Sequence, residues 1–128
     1  MPKIFISKDE LDHYTLYILF NYVGEPNGIF RRDLVERVFD VNLRDDELTD
    51  ANPFDRQVRQ SIERLRHQGH IICNTGNGMG YYMAATVEEY QAFRTVYGAH
   101  AFPIMEAISE MDKAARDRWP NPLQPRML

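Results

Sequence analysis

Apolar residues recur along the first quarter of this chain at helical intervals, with Leu11, Tyr14, Ile18 and Tyr22 spaced by three or four positions. The segment opens on Ser7-Lys8-Asp9-Glu10, an S-x-x-E capping box in which a serine oxygen and a glutamate side chain satisfy free backbone amides. A helix is therefore predicted from about Lys8 to Tyr22, closed by Gly24 and the turn-forming Glu25-Pro26-Asn27-Gly28. A second helix is predicted from about Ile29 to Phe39, with Leu34, Val35 and Val38 inward and Arg31, Arg32 and Glu36 directed elsewhere. Asn52-Pro53 offers a cap and a first-turn proline for a third helix, which should stop near Gln68, before Gly69. At about 100° per residue, Phe54, Val58, Ile62 and Leu65 of that helix face inward. Arg56, Gln60, Glu63 and His67 take the opposite apex, flanked by Gln57, Arg59 and Arg64.

The period then changes. His70 to Asn74 and Gly80 to Ala84 are short β-prone runs around Asn77-Gly78, a strong hairpin signal because both residues tolerate positive φ. Alternation along the second run sends one of Tyr81 and Tyr82 toward the helices, Tyr81 being the inward choice, and the other outward. Thr86-Val87-Glu88-Glu89 is a second capping box, opening a helix to about Tyr97 that Gly98 and Pro103 should interrupt. A final helix from about Pro103 to Arg118 carries Ile104, Ile108, Met111 and Ala115 on one stripe. The pattern thus predicts a mainly α fold with a small β-hairpin, followed by one or two C-terminal helices. Its parts are a helical and hairpin domain over 1–85 with an acidic insertion at 40–53, a helical extension over 86–118, and a proline-punctuated tail over 119–128.

Composition narrows the function classes. A chain of 128 residues with 44% hydrophobic and 27% charged residues suits one globular domain plus an appended helix. No apolar run approaches the roughly 20 residues of a membrane helix, and the N-terminus lacks a signal-peptide core, so no membrane partner and a cytoplasmic location are expected. The single cysteine, Cys73, lies in an apolar run and reads as a small buried hydrophobe. A net charge of −4 argues against indiscriminate coating of nucleic acid, but its distribution is uneven. Residues 28–55 hold four arginines against eight acids, a balance of −4, whereas residues 56–85 hold Arg56, Arg59, Arg64 and Arg66 against Glu63 alone, a balance of +3.

Catalytic signatures do not emerge. The glycine-rich Gly76 to Gly80 joins two strands and does not open a helix, so it lacks the helix terminus that holds a phosphate. His67 and His70 have no cysteine or acidic partner to complete a metal set, and Asp45, Asp46, Glu47 and Asp50 read as a solvated loop. The expectation is a protein that is not an enzyme and needs no cofactor or metal.

The order helix, helix, helix, hairpin resembles the winged helix-turn-helix superfamily. More closely, GIFRRDLVERVF, DRQVRQSIERLRHQG and NTGNGMGYYMA are similar to segments of small DNA-binding proteins encoded by phages and prophages. Those proteins share an R-x-V-R-x-x-I-x-x-L-R helix and a G-Y-Y/F-x-A wing strand. Arg56, Val58, Arg59, Ile62, Leu65, Arg66, Gly80, Tyr81, Tyr82 and Ala84 match the pattern, and the resemblance covers residues 28–84. It implies a third helix in the major groove of duplex DNA and a hairpin along the neighbouring backbone. Arg56 and Gln60 would then contact bases, with Gln57 beside them and Arg59, Arg64 and Arg66 on phosphates or bases. The hairpin tip carries no lysine or arginine, so contacts there would rest on Asn74, Thr75, Asn77 and backbone amides. The bland alternative for the same helix is a solvated face with helical pairs such as Arg59 with Glu63 and Gln60 with Arg64.

The expected function is duplex DNA binding as a transcriptional or replication regulator of phage or prophage type. The alternative, motivated by the acidic insertion and the negative charge, is a winged-helix protein–protein interaction module that binds transcription or replication machinery. The stripe Ile104, Ile108, Met111 and Ala115 is a candidate homodimer interface, or a surface that packs on the first helix.

Overall fold

The Ser7 hydroxyl accepts the Glu10 amide at 3.1 Å, and the Glu10 carboxylate accepts the Ile6 amide at 3.1 Å. The capping box therefore starts α1, Lys8–Leu19, in a computed structural model that describes residues 1–44 and 51–119. This helix ends one turn before the periodicity suggests. Tyr22 accepts the Met83 amide at 2.8 Å, and Gly24 donates to the Met83 carbonyl at 2.9 Å, so a sheet recruits the backbone that would have continued α1. Gly24 makes the turn at φ +88°, a conformation costly for any residue with a Cβ. A 3-10 turn, Glu25–Asn27, follows.

Ile29 and Phe30 do not begin the second helix; they form a strand, β1, Ile29–Phe30, and α2 spans Arg31–Phe39. Two residues are too few for helical and extended periods to be told apart in the sequence. The third helix, α3, Pro53–His67, begins where its signals place it, because the Asn52 side chain accepts the amides of Phe54 at 2.9 Å and Asp55 at 3.1 Å. Beyond it, β2, Ile72–Asn74, and β3, Gly80–Met83, form the hairpin. The expected two-stranded hairpin is thus part of a three-stranded antiparallel sheet with β3 in the centre, order β1-β3-β2. Ile29 pairs with Tyr81 and Phe30 with Gly80 on one side; Ile72, Cys73 and Asn74 pair with Met83, Tyr82 and Tyr81 on the other. Gly80 is required at this crossing, because a Cβ there would run into the carbonyl of Ile29.

The core gathers Leu19 from α1, Leu34, Val35 and Val38 from α2, and Val58, Ile62 and Leu65 from α3, all completely buried, with Ile29 and Ile72 of the sheet in the same cluster. An aromatic chain extends it. The Phe39 ring lies 4.8 Å from Phe54 and 5.5 Å edge-on from Phe5, which in turn meets Tyr14 at 5.8 Å. Tyr81 packs against this core as expected. Tyr82 does not face solvent: on the opposite side of β3 it is 3% exposed and hydrogen-bonded with Cys73. Burial pushes the Cys73 thiol and the Tyr82 hydroxyl above their ordinary pKa values.

After α2, Asp40 adopts the left-handed conformation, φ 53°. Val41 and Leu43 then pack against the core, and the Leu43 amide donates to Glu36 at 2.7 Å, so the first part of the predicted insertion is anchored. Asp45, Asp46, Glu47 and Asp50 lie outside the described residues, as does the tail after Trp119.

The predicted break at Gly98 and Pro103 does not occur. A single helix, α4, Val87–Arg118, runs through both. The proline removes one amide bond, to the Ala99 carbonyl, and a helix with no buried residue leaves such a carbonyl open to water. The chain divides into two units, Met1–Gln91 and Ala92–Leu128. The first turn of α4 belongs with the first unit, where the Glu89 carboxylate accepts the amides of Ala85 and Glu25, each at 2.8 Å. Among the described residues, no helix is long and apolar enough to cross a membrane.

The close approach at β3 is testable. Gly80→Ala is expected to lower the free energy of unfolding by about 2–3 kcal/mol in urea denaturation, as overpacking against backbone does. Gly98→Ala, whose Cβ meets nothing within 4 Å, is expected not to lower it.

Candidate functional site

Helix α3 presents Arg56, Gln57, Gln60, Glu63 and His67 to solvent, with Arg59 and Arg64 half-buried at the edges of the same face. A shallow groove of about 460 Å³ follows this surface, lined by Arg56, Arg59, Gln60, Glu63, Arg64 and His67. The inward and outward sets are those the 3.6-residue period implies. Which cations on that face are available for a partner was not readable from the period.

Two buried carboxylates decide it. Asp55, in the first turn of α3, has no exposed surface, and its Oδ2 accepts Arg59 Nε at 2.8 Å. Its Oδ1 lies 3.0 Å from Arg31 Nε, the first residue of α2, in an ion pair that lacks an aligned hydrogen bond. Asp55 thereby brings Arg31, not among the residues singled out by sequence, beside Arg59. The signal was the Arg31-Arg32 pair opening the second helix, but nothing local linked it to an aspartate 24 positions later. The cleft between the start of α2 and the hairpin turn, about 320 Å³, is lined by Phe30, Arg31, Arg32, Asp33, Gly78 and Met79. The Arg31 amide closes it by donating to Met79 O at 2.9 Å.

The second carboxylate, Asp12 of α1, receives both prongs of Arg64, Nε to Oδ2 at 2.9 Å and Nη2 to Oδ1 at 2.8 Å, and the Ser61 hydroxyl at 2.6 Å. Burial acts to raise the Asp12 pKa. The hydrogen bonds from Arg64 and Ser61 and the charge of Arg64 outweigh it, and the group is held below the usual carboxylate range. The Arg64 guanidinium is raised in turn, first by its hydrogen bond to Asp12. Arg64 thus braces α3 against α1.

Arg66 works at the junction with the sheet. It donates to the Ile72 carbonyl at 2.8 Å, to Glu63 at 2.8 Å and to Asn74 Oδ1 at 3.0 Å, and its side chain is 13% exposed. Glu63 therefore pairs with Arg66, three positions on. Arg56 makes a long contact, 3.3 Å, to the Ala51 carbonyl and is exposed.

In the hairpin turn the polar side chains expected to meet phosphates hold the turn itself. Thr75 donates to Asn77 Oδ1 at 2.6 Å and accepts the Gly80 amide at 3.0 Å, and Asn77 Oδ1 also accepts the Met79 amide at 2.9 Å. Gly78, φ 73°, donates to Thr75 O at 2.8 Å. The Gly76 amide is taken by the Glu25 carboxylate at 2.8 Å, which places a negative charge at the tip. Of the nine residues singled out by sequence, Arg56, Gln57, Arg59, Gln60 and Arg64 share one helix face. Arg66 and Asn74 meet at the helix–sheet joint, and Thr75 and Asn77 close the turn. Among the described residues, no three His, Cys, Asp or Glu side chains are grouped to hold a metal ion.

The Asp12 brace gives stability a defined pH dependence. A carboxylate whose pKa is lowered by folding contributes fully above its unfolded value, near 3.9, and loses that contribution as pH falls through the lower folded value. Asp12→Asn is expected to cost about 2 kcal/mol at pH 7. Wild type and variant should converge in urea denaturation as the pH is lowered below about 4. No protein-family model, no curated protein and no solved structure matches the chain.

Proposed function

We propose that this chain binds duplex DNA through the outer face of α3, as a non-enzymatic cytoplasmic regulator of transcription or replication with a winged helix-turn-helix mode of binding. The observation that carries the reading is the bracing of Arg31 and Arg59 by the buried Asp55 next to exposed Arg56, Gln57 and Gln60. A guanidinium held from behind by a carboxylate loses less freedom on meeting its target, and arginine and glutamine offer the paired hydrogen bonds that distinguish guanine and adenine edges. A helix also fits the major groove, roughly 12 Å wide. Arg56, Gln57 and Gln60 are assigned to base edges and Arg31 and Arg59 to the backbone or a base. Arg64 and Arg66 orient α3. The likeness of residues 28–84 to small phage and prophage DNA-binding proteins supports the same class.

A second reading rests on the hairpin. Its tip has no cation, its polar side chains are engaged, and Glu25 sits on Gly76, which suits a phosphate poorly. Exposed Phe30 and Met79 flank Arg31 and Arg32 in the adjacent cleft. This mixed apolar and cationic surface favours a protein-interaction module that docks transcription or replication machinery.

Titration of a labelled mixed-sequence duplex at low and moderate salt separates the two. Binding by wild type should fall steeply with salt, as counterion release requires. Arg56→Ala and Gln60→Ala should each weaken it about tenfold and relax its sequence preference. Folded wild-type protein that fails to bind at low salt would overturn the DNA reading and leave the docking module.

A further inference from the structure

The unbroken course of α4 changes what its apolar stripe can do. Because the helix continues through Gly98 and Pro103, the stripe extends back from Ile104 to include Ala101 and Tyr97. Tyr97, Ala101, Ile104, Ile108, Met111 and Ala115 alternate spacings of four and three, a seven-residue repeat lying within about 80° of the helix circumference and about 27 Å long. Glu106, Glu110, Lys113, Arg116 and Asp117 lie on the far side, where Lys113 pairs with Glu110 at 3.1 Å. Tyr97 is 43% exposed, Ile104 62% and Met111 62%, and α4 has no buried residue among those described. The other three helices bury their apolar stripes in the core of the first unit.

We propose that α4 pairs with α4 of a second copy of this chain, antiparallel, about a two-fold axis at the level of Glu106. The seven-residue repeat calls for a helix of the same repeat as its partner, and from Ala101 to Ala115 the stripe holds no buried residue. Side-chain volumes decide the direction. In an antiparallel pair Tyr97 faces Ala115, Ala101 faces Met111 and Ile104 faces Ile108, so large residues meet small ones at the ends and equal ones meet at the centre. A parallel pair would set Tyr97 on Tyr97 and leave Ala101 and Ala115 facing their own copies across a gap, a poorer use of the space. Small Ala107 and Ala114 along one flank let the backbones approach, and Asp112 on the other flank faces Gly98 of the second copy, so that no like charges oppose between Tyr97 and Ala115; one step beyond the seam at each end, Arg94 falls opposite Arg118 of the second copy. With Met105 the seam offers roughly 600 Å² per chain, about 1,200 Å² in total, the lower edge of stable interfaces. The two-fold makes the contact self-complementary and closes it at two copies.

Sedimentation equilibrium of the full chain without DNA tests this independently of the α3 reading. Wild type is expected at twice its 15.0 kDa chain mass. The double variant Ile104→Glu, Ile108→Glu should dissociate at least about a hundredfold more readily. Both positions lie outside the core of the first unit, so urea denaturation of that unit should be unchanged. Cross-linking reports direction. Chains carrying Ala101→Cys should form a disulfide when mixed with chains carrying Met111→Cys, and neither should do so alone. A wild-type monomer at all concentrations, a dimer that survives the double variant, or efficient self-cross-linking of Ala101→Cys would each overturn the proposal.

Discussion

A carboxylate that is charged and has no exposed surface needs cations or hydrogen-bond donors around it, because a lone buried charge costs several kcal/mol. Asp55 is such a group, and the two cations that meet it, Arg31 and Arg59, begin α2 and continue α3. The requirement therefore fixes where the two helices start relative to each other. Asp55 also sits in the first turn of α3, where the helix dipole favours its negative charge. At the next stretch of the same helix Asp12 performs the equivalent task toward α1, through Ser61 and Arg64. The core packs α3 against α1 and α2, but apolar contacts are not directional. The two buried acids supply direction.

Orientation of α3 has a consequence for its charge. Counting residues makes the helix strongly positive, yet Arg64 and Arg66 have their hydrogen-bonding capacity directed into the protein. What faces outward on α3 is a smaller and more ordered set, Arg56, Gln57 and Gln60 in solvent with Arg31 and Arg59 held beside them by Asp55. The hairpin follows the opposite logic. Its polar side chains stabilise a tight turn, and Glu25 ties that turn to the segment before β1.

The last helix obeys a different constraint from the rest. Within the first unit every helix has an apolar face inside the core, whereas α4 begins there through Glu89 and then extends as a helix with no buried residue. An isolated helix in water is marginal even with good helix formers, and Gly98 and Pro103 weaken this one further. Its regular apolar seam is what a partner helix would stabilise.

Much of the fold was legible in residues near one another in sequence. The capping boxes at Ser7 and Thr86, the Asn52-Pro53 start of α3, the inward set Val58, Ile62 and Leu65, and the turn at Gly78 are local signals, and each acts through atoms a few residues apart. The early end of α1 and strand β1 were not legible, because each depends on pairing with β3, some fifty to sixty positions away; nor was the burial of Tyr82, which lies within β3 and is hydrogen-bonded with Cys73 of the paired strand. The candidate site divides the same way. Helical periodicity alone determined that Arg56, Gln57, Gln60 and the neighbouring arginines share a face. Only the tertiary structure decided which of them are tied inward and that Arg31 joins them, since an arginine's direction is set by whichever carboxylate folding brings within about 3 Å of it.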